Sequence, residues 1–530
     1  MNAYRHLTTS ALMLASIASG LHAQDWNQWR GPQRNGVAGK SIPLASSWTA
    51  EGPKSLWESE SIPSADDGGL GSVVTWNGKA YLSVVWHSDV PSETRTIDDL
   101  VMRKLGYQNP SSLGKELVAK MEADREALSP QLRGKKLDEY IDTWVGANLD
   151  KKQKQLFSGF VGGRFRKGKL AIPLDDFEKM NKMVDKPFAT QAEFEKWVGE
   201  QGFADHVKQQ VIEGVPPTMR VAEDVVVCLD LASGKTLWKS KAPGEPKGRN
   251  CSSTPAVVDG KVYALGSTHV YCVDATSGKQ LWATPLPAKA PGSSPLVVEN
   301  TVIVNSGRIA AYNATTGAKL WEQPKAGGAN ASPVAWTSGG KTLALCNGRN
   351  DIAALDLKTG DVVWSAPAGG DSTPAILGDI LTIQARNAKL GLVAYQLSLT
   401  DAKQLWSFPF DALRTQSSPL IHNGHVFLMD DNVQYCVKLA DGKLAWQAAV
   451  PASISSPVIA DDKIFVMINS GNNVQVLKAS GEERVELGKA NLRATWCPSP
   501  AITDGRLIVR TKDRVRCYDI ASNTKPAPIP

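Results

Sequence analysis

From Val225 to Ile520 short apolar runs alternate with turn residues in a unit that returns about every forty positions. One unit shows its logic. Ser253-Thr254-Pro255-Ala256-Val257-Val258 reads as a strand, Asp259-Gly260 as a hairpin turn, and Lys261-Val262-Tyr263-Ala264-Leu265 as the returning strand. Asp-Gly between alternating apolar residues is a strong hairpin signal, because both turn positions take a positive φ. Val270-Tyr271-Cys272-Val273-Asp274 supplies a third strand, Thr276-Ser277-Gly278-Lys279 a turn, and the run carrying Leu281-Trp282 a fourth. The openings place prolines at Pro255, Pro295, Pro333, Pro374, Pro419, Pro457 and Pro500, separated by 40, 38, 41, 45, 38 and 43 residues. An array of this period with four strands per unit predicts a β-propeller.

The unit endings recur as Asp230…Gly234…Trp238, Asn313…Gly317…Trp321, Asp356…Gly360…Trp364 and Lys438…Gly442…Trp446. Two are worn: Ala402 stands where the glycine of the Trp406 unit is expected, and Val485 where the seventh tryptophan is expected. Trp57, Trp238, Trp282, Trp321, Trp364, Trp406 and Trp446 are assigned to packing between blades, since each indole buries a large flat surface. Gly71-Ser72-Val73 adds an eighth opening, with Val73 five residues before Gly78 as Pro255 is before Gly260. The last blade runs out after three strands, and Lys54-Ser55-Leu56-Trp57 is left to complete it, which removes two open sheet edges. The fold class is therefore all-β: an eight-bladed propeller of four-stranded blades closed by an N-terminal strand, with a helical insertion in blade one.

That insertion lies between Val84-Val85-Trp86 and Val225-Val226-Val227-Cys228, where the repeat breaks and apolar residues fall at helical spacing, as in Leu113 to Met121 and Phe194 to Val198. Ser111-Ser112 offers a serine cap, and Thr190 with Glu193 three residues on reads as a capping box. The expected division is 1–23 signal peptide, 24–91 N-terminal segment and first part of blade one, 92–223 helical insertion, and 224–530 the remaining propeller. The break falls between the second and third strands of blade one. In an antiparallel blade those loops open on the same face as the loops between blades, so the helices are expected over that face.

Composition adds limits. The 59 Lys and Arg against 53 Asp and Glu leave a net charge of +6, too mild at 530 residues to argue for a nucleic-acid partner. Met1 to Ala23 has a basic Arg5, an apolar stretch from Ala11 to Ala18 and a small-residue end, which reads as a signal peptide; the mature chain is expected to be periplasmic or secreted, without a transmembrane segment. Of seven cysteines, Cys228, Cys272, Cys436 and Cys517 share one repeat position with Ala311 and Ala354, which marks them as small buried filler. Cys251, Cys346 and Cys497 fall elsewhere, and their pairing is not legible.

The Asp-x-x-x-Gly-Lys-x-x-Trp endings and Ser/Thr-Pro openings resemble the repeats of the pyrroloquinoline-quinone-like propeller superfamily, over Lys54 to Trp86 and Val225 to Ile520. That superfamily includes quinoprotein alcohol dehydrogenases and the propeller subunit of the outer-membrane β-barrel assembly machinery. Trp26 to Gly36 is similar to the leader of exported bacterial members. The resemblance implies two functions. One is a non-catalytic binding or scaffold propeller of the cell envelope with a protein or glycan partner and no cofactor. The alternative is an oxidoreductase of alcohols or sugars that uses pyrroloquinoline quinone with calcium. The quinoprotein pattern includes adjacent cysteines, which this chain lacks, and no Cys-x-x-Cys-His is present for covalent haem. No catalytic residue carries over, and the scaffold reading is preferred.

Candidate ligand-binding residues are polar groups on the insertion side. Arg249, Asn250, Asn330, Asp371, Gln416 and Trp496 precede strand openings near the expected central channel, and Arg349 and Arg386 lie in loops between second and third strands. Convergent polar groups at a channel mouth suit an acidic or sugar-like ligand. No metal site is expected: His422 and His425 flank the Asn423-Gly424 turn without a third ligand, and Asp430-Asp431-Asn432 reads as turn chemistry. Arg164, Arg166, Lys167 and Lys169 form the densest basic cluster and are expected in a solvated loop.

Overall fold

In a computed structural model of the chain, the described residues are 25–522 apart from 40, 50, 65–67, 245–251, 289–291, 329 and 412–414. The leader 1–23, Arg249, Asn250 and Cys251 lie outside them. The chain is mostly β, built from four-stranded antiparallel sheets with a few helices, consistent with a propeller. Eight such sheets follow one another, and in the last the strand Lys54–Glu58 pairs with Val515–Asp519 at the far end of the chain.

One rung explains the repeat. In the second sheet Ala256, Tyr263, Cys272 and Trp282 lie side by side across the four strands. The third strand offers Cys228, Cys272, Ala311, Ala354, Ala394, Cys436 and Cys517 opposite Trp238, Trp282, Trp321, Trp364, Trp406, Trp446 and Trp57. A six-membered ring fused to a five-membered one leaves room opposite for only a small side chain. Burial pushes the four thiols up to about 12, so they stay protonated and act as apolar filler. In all eight outer ladders the register shifts just beside this rung. Such a bulge turns the tryptophan inward and its neighbour, such as Leu281 or Leu320, outward.

Each indole then meets the next sheet. A Cβ added to Gly278, Gly317, Gly360 or Gly442 would lie 2.5–2.6 Å from Trp238, Trp282, Trp321 or Trp406 of the preceding sheet. Indole N–H groups donate to carbonyls of that same turn, as from Trp282 to Ala314 (3.1 Å), Trp321 to Leu357 (2.8 Å) and Trp406 to Leu439 (2.7 Å). Ala402 does not replace a turn glycine: it pairs with Leu397 in the ladder, the hairpin extends further before turning, and Ser398 Oγ holds the turn, accepting from Asp401 N at 2.9 Å.

The seventh sheet departs from the sequence reading. The residue on the tryptophan rung is Gly488, opposite Val476, and not Val485. The cause is a longer connection: residues 479–485 join its third and fourth strands where residues 275–279 suffice in the second sheet. A Cβ on Gly488 would lie 2.6 Å from Trp48 Cβ. Trp48, from the N-terminal segment, sits there with its ring 5.9 Å from Phe465 at 54°, against 6.1 Å and 50° for Trp282 and Tyr263. The missing indole is supplied from a distant part of the chain.

Seven helices lie between residues 99 and 214. They follow the first sheet's second strand, Lys79–Pro91, which pairs over its whole length with Thr218–Asp230. The boundary expected at 223 thus falls inside a strand, because the hairpin continues past the sheet as a two-stranded ribbon. The helices have cores of their own, Phe177, Phe194 and Val207 in one and Met121, Trp144 and Phe165 in the other. Ser111 and Ser112 form a short 3₁₀ turn, and Gly114 occupies the cap of Lys115–Glu126 without a side-chain bond. Thr190 Oγ1 accepts from Glu193 N at 3.2 Å, while the Glu193 carboxylate turns to Ala189 N at 2.8 Å, one residue outside a capping box. The basic cluster is not a solvated loop. It spans the last turn of the helix Lys151–Lys167 and the 3₁₀ turn after it, where Arg164 is buried on Glu122 at 2.6 Å and Lys167 Nζ donates to Leu105 O at 2.8 Å.

Gly360→Ala and Gly424→Ala separate space from backbone strain. Both glycines have φ +74, but nothing lies within 4 Å of a Cβ at Gly424. Gly424→Ala is expected to lose about 1–2 kcal/mol from the left-handed backbone, and Gly360→Ala about 1–3 kcal/mol more because the Trp321 indole must move, measured by denaturant unfolding. Trp48→Ala is expected to destabilise as much as Trp282→Ala, about 3–5 kcal/mol, in the same measurement. A near-neutral Trp48→Ala would show that its place on the seventh sheet carries no packing energy.

Candidate functional site: the channel mouth

The Ser or Thr before each opening proline has a definite task. Ser72 N donates to Thr254 Oγ1 (2.8 Å), Thr254 N to Ser294 Oγ, Ser294 N to Ser332 Oγ, Ser332 N to Thr373 Oγ1, Thr373 N to Ser418 Oγ and Ser418 N to Ser456 Oγ (each 3.0 Å). Ser499 N donates back to Ser72 Oγ at 2.9 Å. From the first sheet to the sixth each innermost strand thereby takes the hydroxyl of the next, and the eighth takes that of the first; between the seventh and eighth, Ser455 Oγ donates instead to Pro498 O at 3.0 Å. A hydroxyl is the shortest side chain that accepts from the neighbouring amide at this spacing.

Inside this ring stands the N-terminal segment. Trp26 pairs with Thr75 through N to Oγ1 (3.0 Å) and accepts from Thr75 N (2.9 Å), Asn27 exchanges bonds with Val257, and Gly36 and Ala38 pair with Ile459. The segment therefore touches first strands all round the array and fills its axis. Two buried arginines hold it. Arg34 donates to Pro295 O (2.8 Å) and Ser294 O (3.0 Å), and Arg30 donates to Asn35 O (3.1 Å) and Pro419 O. Apart from Asn35 O and Gln28 Oε1 within the segment, their partners are carbonyls of the opening dipeptides, and among the described residues neither arginine has a carboxylate partner. Burial, with repulsion from Arg34 added for Arg30, pushes both guanidinium groups down to about 9.

Above the plug, a cavity of about 280 Å³ is lined by Trp29, Ser72, Ser294, Ser332, Thr373 and Ser456 together with Asn330, Asp371, Gln416 and Trp496. The geometry brings four of the sequence candidates into one place. Asp371 Oδ1 accepts from Asn330 N at 3.0 Å, and Asp371 N donates to Thr415 Oγ1 at 3.0 Å. Arg349 and Arg386 do not line it: both are exposed, in loops between the second and third strands of their sheets. Trp29, Arg30, Arg34 and the hydroxyl ring escaped the sequence reading. The periodic hydroxyl before each proline was a usable signal; the plug segment, outside the repeat, gave none beyond two arginines four residues apart.

Groups that hold a metal are sparse. Among the described residues no cluster of three or more His, Cys, Asp or Glu is placed to bind one. His422 Nε2 meets Asp462 Oδ1 of the seventh sheet's first hairpin at 2.6 Å, and His425 Nδ1 meets Asn423 O of its own turn at 2.9 Å, so the two rings are engaged separately. The mouth offers one carboxylate, Asp371, and no described cation. A quinone bearing several carboxylates needs cations and a calcium ligand set, and this donor set does not fit it.

Asp430 and Asp431 lie where the helical segment reaches the sixth sheet. Gln155 Nε2 donates to Asp431 Oδ2 at 2.7 Å, and Gln384 Nε2 donates to Asp430 Oδ1 at 2.8 Å. Burial raises the Asp430 carboxyl to about 7, despite the Gln384 bond.

The fold is that of a four-stranded repeat array resembling the pyrroloquinoline-quinone-like propellers. In sequence it is similar to an outer-membrane assembly factor. Residues 222–398 match the family model described as outer membrane protein assembly factor BamB. The BamB of Shewanella oneidensis is 26% identical over 235 residues, covering 34% of this chain and 59% of that protein. The BamB of Salmonella typhimurium is 24% identical over 262 residues, covering 46% of this chain and 65% of that protein. The chain thus spans less than two thirds of these relatives. Among solved structures, BamB from Moraxella catarrhalis aligns at 17% identity and TM-score 0.46, covering 57% of this chain and 90% of that one. Quinohemoprotein alcohol dehydrogenase from Comamonas testosteroni aligns at 13% and 0.45, covering 59% and 75%.

A carboxyl whose pKa is raised by folding adds stability that is full below its unfolded pKa and is lost as pH rises through the folded one. Asp430 is therefore expected to weaken the fold between about pH 4 and pH 8, by roughly 2–4 kcal/mol. Asp430→Asn keeps an acceptor for Gln384 and is expected to flatten that part of the pH dependence of thermal unfolding; an unchanged profile would refute the assignment.

Proposed function

We propose that this chain is a non-catalytic propeller of the cell envelope, with eight blades in one closed ring, that holds a protein partner on the face carrying the helical insertion. The observation that carries the reading is the use of the channel's polar groups. Its hydroxyls bind neighbouring amides and its carbonyls bind Arg30 and Arg34, so the ring and the plug consume the polar wall as structure. Among the described residues, what remains at the mouth is one carboxylate engaged by a backbone N–H, without a base beside a nucleophile. The match of residues 222–398 to an outer membrane assembly factor supports a role in the envelope.

The eight sheets and the returning hydroxyl series support the blade count. The helical segment leaves the first blade by its extended hairpin and meets the sixth at Asp431, a span that supports a lid over the mouth. Export rests on the leader at residues 1–23. No helix of the described residues is long and apolar enough to cross a membrane.

The test is titration of the purified protein with pyrroloquinoline quinone and calcium, followed by dye reduction with alcohols and sugars. The expected result is no stoichiometric binding and no turnover. Tight binding with substrate oxidation would replace this reading with the quinone-dependent oxidoreductase.

A further inference from the structure

The channel mouth keeps two things that closure of the ring does not use. One is aromatic surface. Trp496 stands just before the opening of the last sheet, off the rung where other sheets bury their indoles, and alone among the chain's tryptophans it is exposed, at 36%. Trp29 of the plug is half-buried and lines the same cavity of about 280 Å³, to which Leu70 and Ile454 add aliphatic surface. The Arg30 guanidinium carbon lies 5.5 Å from the centroid of the Trp29 ring, which ties that indole to the plug.

The other is hydrogen-bonding capacity without positive charge. Gln416 Oε1 is buried in the lining and accepts no bond from any described residue. Ser294, Ser332, Thr373 and Ser456 each accept from a neighbouring amide, but each hydroxyl also carries a proton of its own, which no described residue accepts. Asp371 adds a carboxylate of which Oδ1 takes the Asn330 N–H at 3.0 Å. Donors and acceptors thus share one small space with indole surface, and the only charged residue of the described lining is an acid.

A neutral sugar ring fits this mixture. Its edge carries hydroxyls that both give and accept bonds, and its faces carry C–H groups that pack on indoles. An anionic ligand meets Asp371 and no described cation, and a purely apolar one leaves the Gln416 oxygen and the hydroxyl protons unpaired. The volume is that of a small-molecule site at the lower end of the usual range.

We propose that the channel mouth binds one neutral pyranose unit, with its C–H faces against Trp496 and Trp29 and its hydroxyls bonded to Gln416, Asp371 and the hydroxyl ring. This deepens the non-catalytic reading above and rests on it only in that no quinone shares the mouth.

Saturation-transfer NMR titration of the full chain, without quinone, calcium or dye, tests it with methyl β-glucoside, methyl β-glucuronide and cellotetraose. The β-glucoside is chosen because its hydroxyls are equatorial, which leaves both faces as C–H surface. Saturable binding is expected, tenfold or more tighter than that of the glucuronide, whose carboxylate Asp371 repels. Tighter binding of cellotetraose identifies the unit as part of a chain, and equal binding as a single sugar. Gln416→Leu and Trp496→Ala are each expected to weaken binding tenfold or more, while Arg349→Gln, in an exposed loop outside the cavity, leaves it unchanged. Thermal unfolding of each variant reports that the fold is retained. The proposal is overturned by no saturable binding of either neutral probe, by a glucuronide that binds equally well, or by binding that survives both variants. Such a failure leaves the non-catalytic reading standing, since that reading falls only on quinone binding with turnover.

Discussion

The structure rests on a single contact repeated between neighbouring sheets: an indole laid into the place where the next sheet's turn has no side chain. A tryptophan buries enough surface to be worth about 4 kcal/mol, but only if the two sheets approach closely. Glycine permits that approach, and the small residue opposite, cysteine or alanine, lets the indole lie flat. The bulge beside the rung then follows as a geometric necessity, since without it the tryptophan would face outward and Leu281 or Leu320 inward. Trp48 shows how strict the requirement is. When the seventh sheet lost its indole to a longer turn, the void was filled from the N-terminal segment in nearly the same ring geometry as elsewhere.

A second constraint acts at the axis. Sheets arranged around a centre present the openings of their first strands inward, where proline has removed one N–H and carbonyls are left facing a narrow space. The hydroxyl series satisfies the amides, and the guanidinium groups of Arg30 and Arg34 satisfy carbonyls of the third and sixth sheets. Burying two cations without carboxylates is costly, as their lowered pKa indicates. The cost is met because several charge-assisted bonds form at once and because removing the plug would expose a ring of unpaired carbonyls. The strand Lys54–Glu58 and the plug belong to the same N-terminal stretch, so closing the outer edge and filling the axis are coupled through the chain.

Legibility in the sequence followed periodicity. Whatever recurs, such as Trp282, Gly278, Cys272 and Pro255, was readable because the same physical demand is stated several times. Ala402 and Val485 were visible as departures, yet the true occupant of the seventh rung was not, since a two-residue change in turn length moves the register without leaving a compositional mark. Arg30 and Arg34 were silent for a related reason: their partners on the sheets are backbone carbonyls more than two hundred residues away, which no side-chain pattern records. The basic cluster at Arg164 misled in the opposite direction, because Gly162-Gly163 suggests a loop while Glu122, forty-two residues earlier, neutralises the arginine inside a helix pair. Of the candidate ligand residues, the four described ones that precede strand openings, Asn330, Asp371, Gln416 and Trp496, line one cavity and Arg349 and Arg386 do not, since only the former adjoin the innermost strands.

Where a propeller hosts a reaction, polar groups at the channel mouth must be left over after the ring is closed. Here the closure uses nearly all of the described ones, while a cavity opens at the side, where helices from the first sheet come to rest beside loops of the last two. That position matters physically. A cavity between an inserted segment and the ring changes shape whenever the segment shifts, whereas the mouth is fixed by the hydroxyl series. Gln155 ties the helices to Asp431, whose charge adds to the burial that raises the neighbouring Asp430 carboxyl to about 7. The part of the chain least like a repeat is also the part with the most freedom to respond.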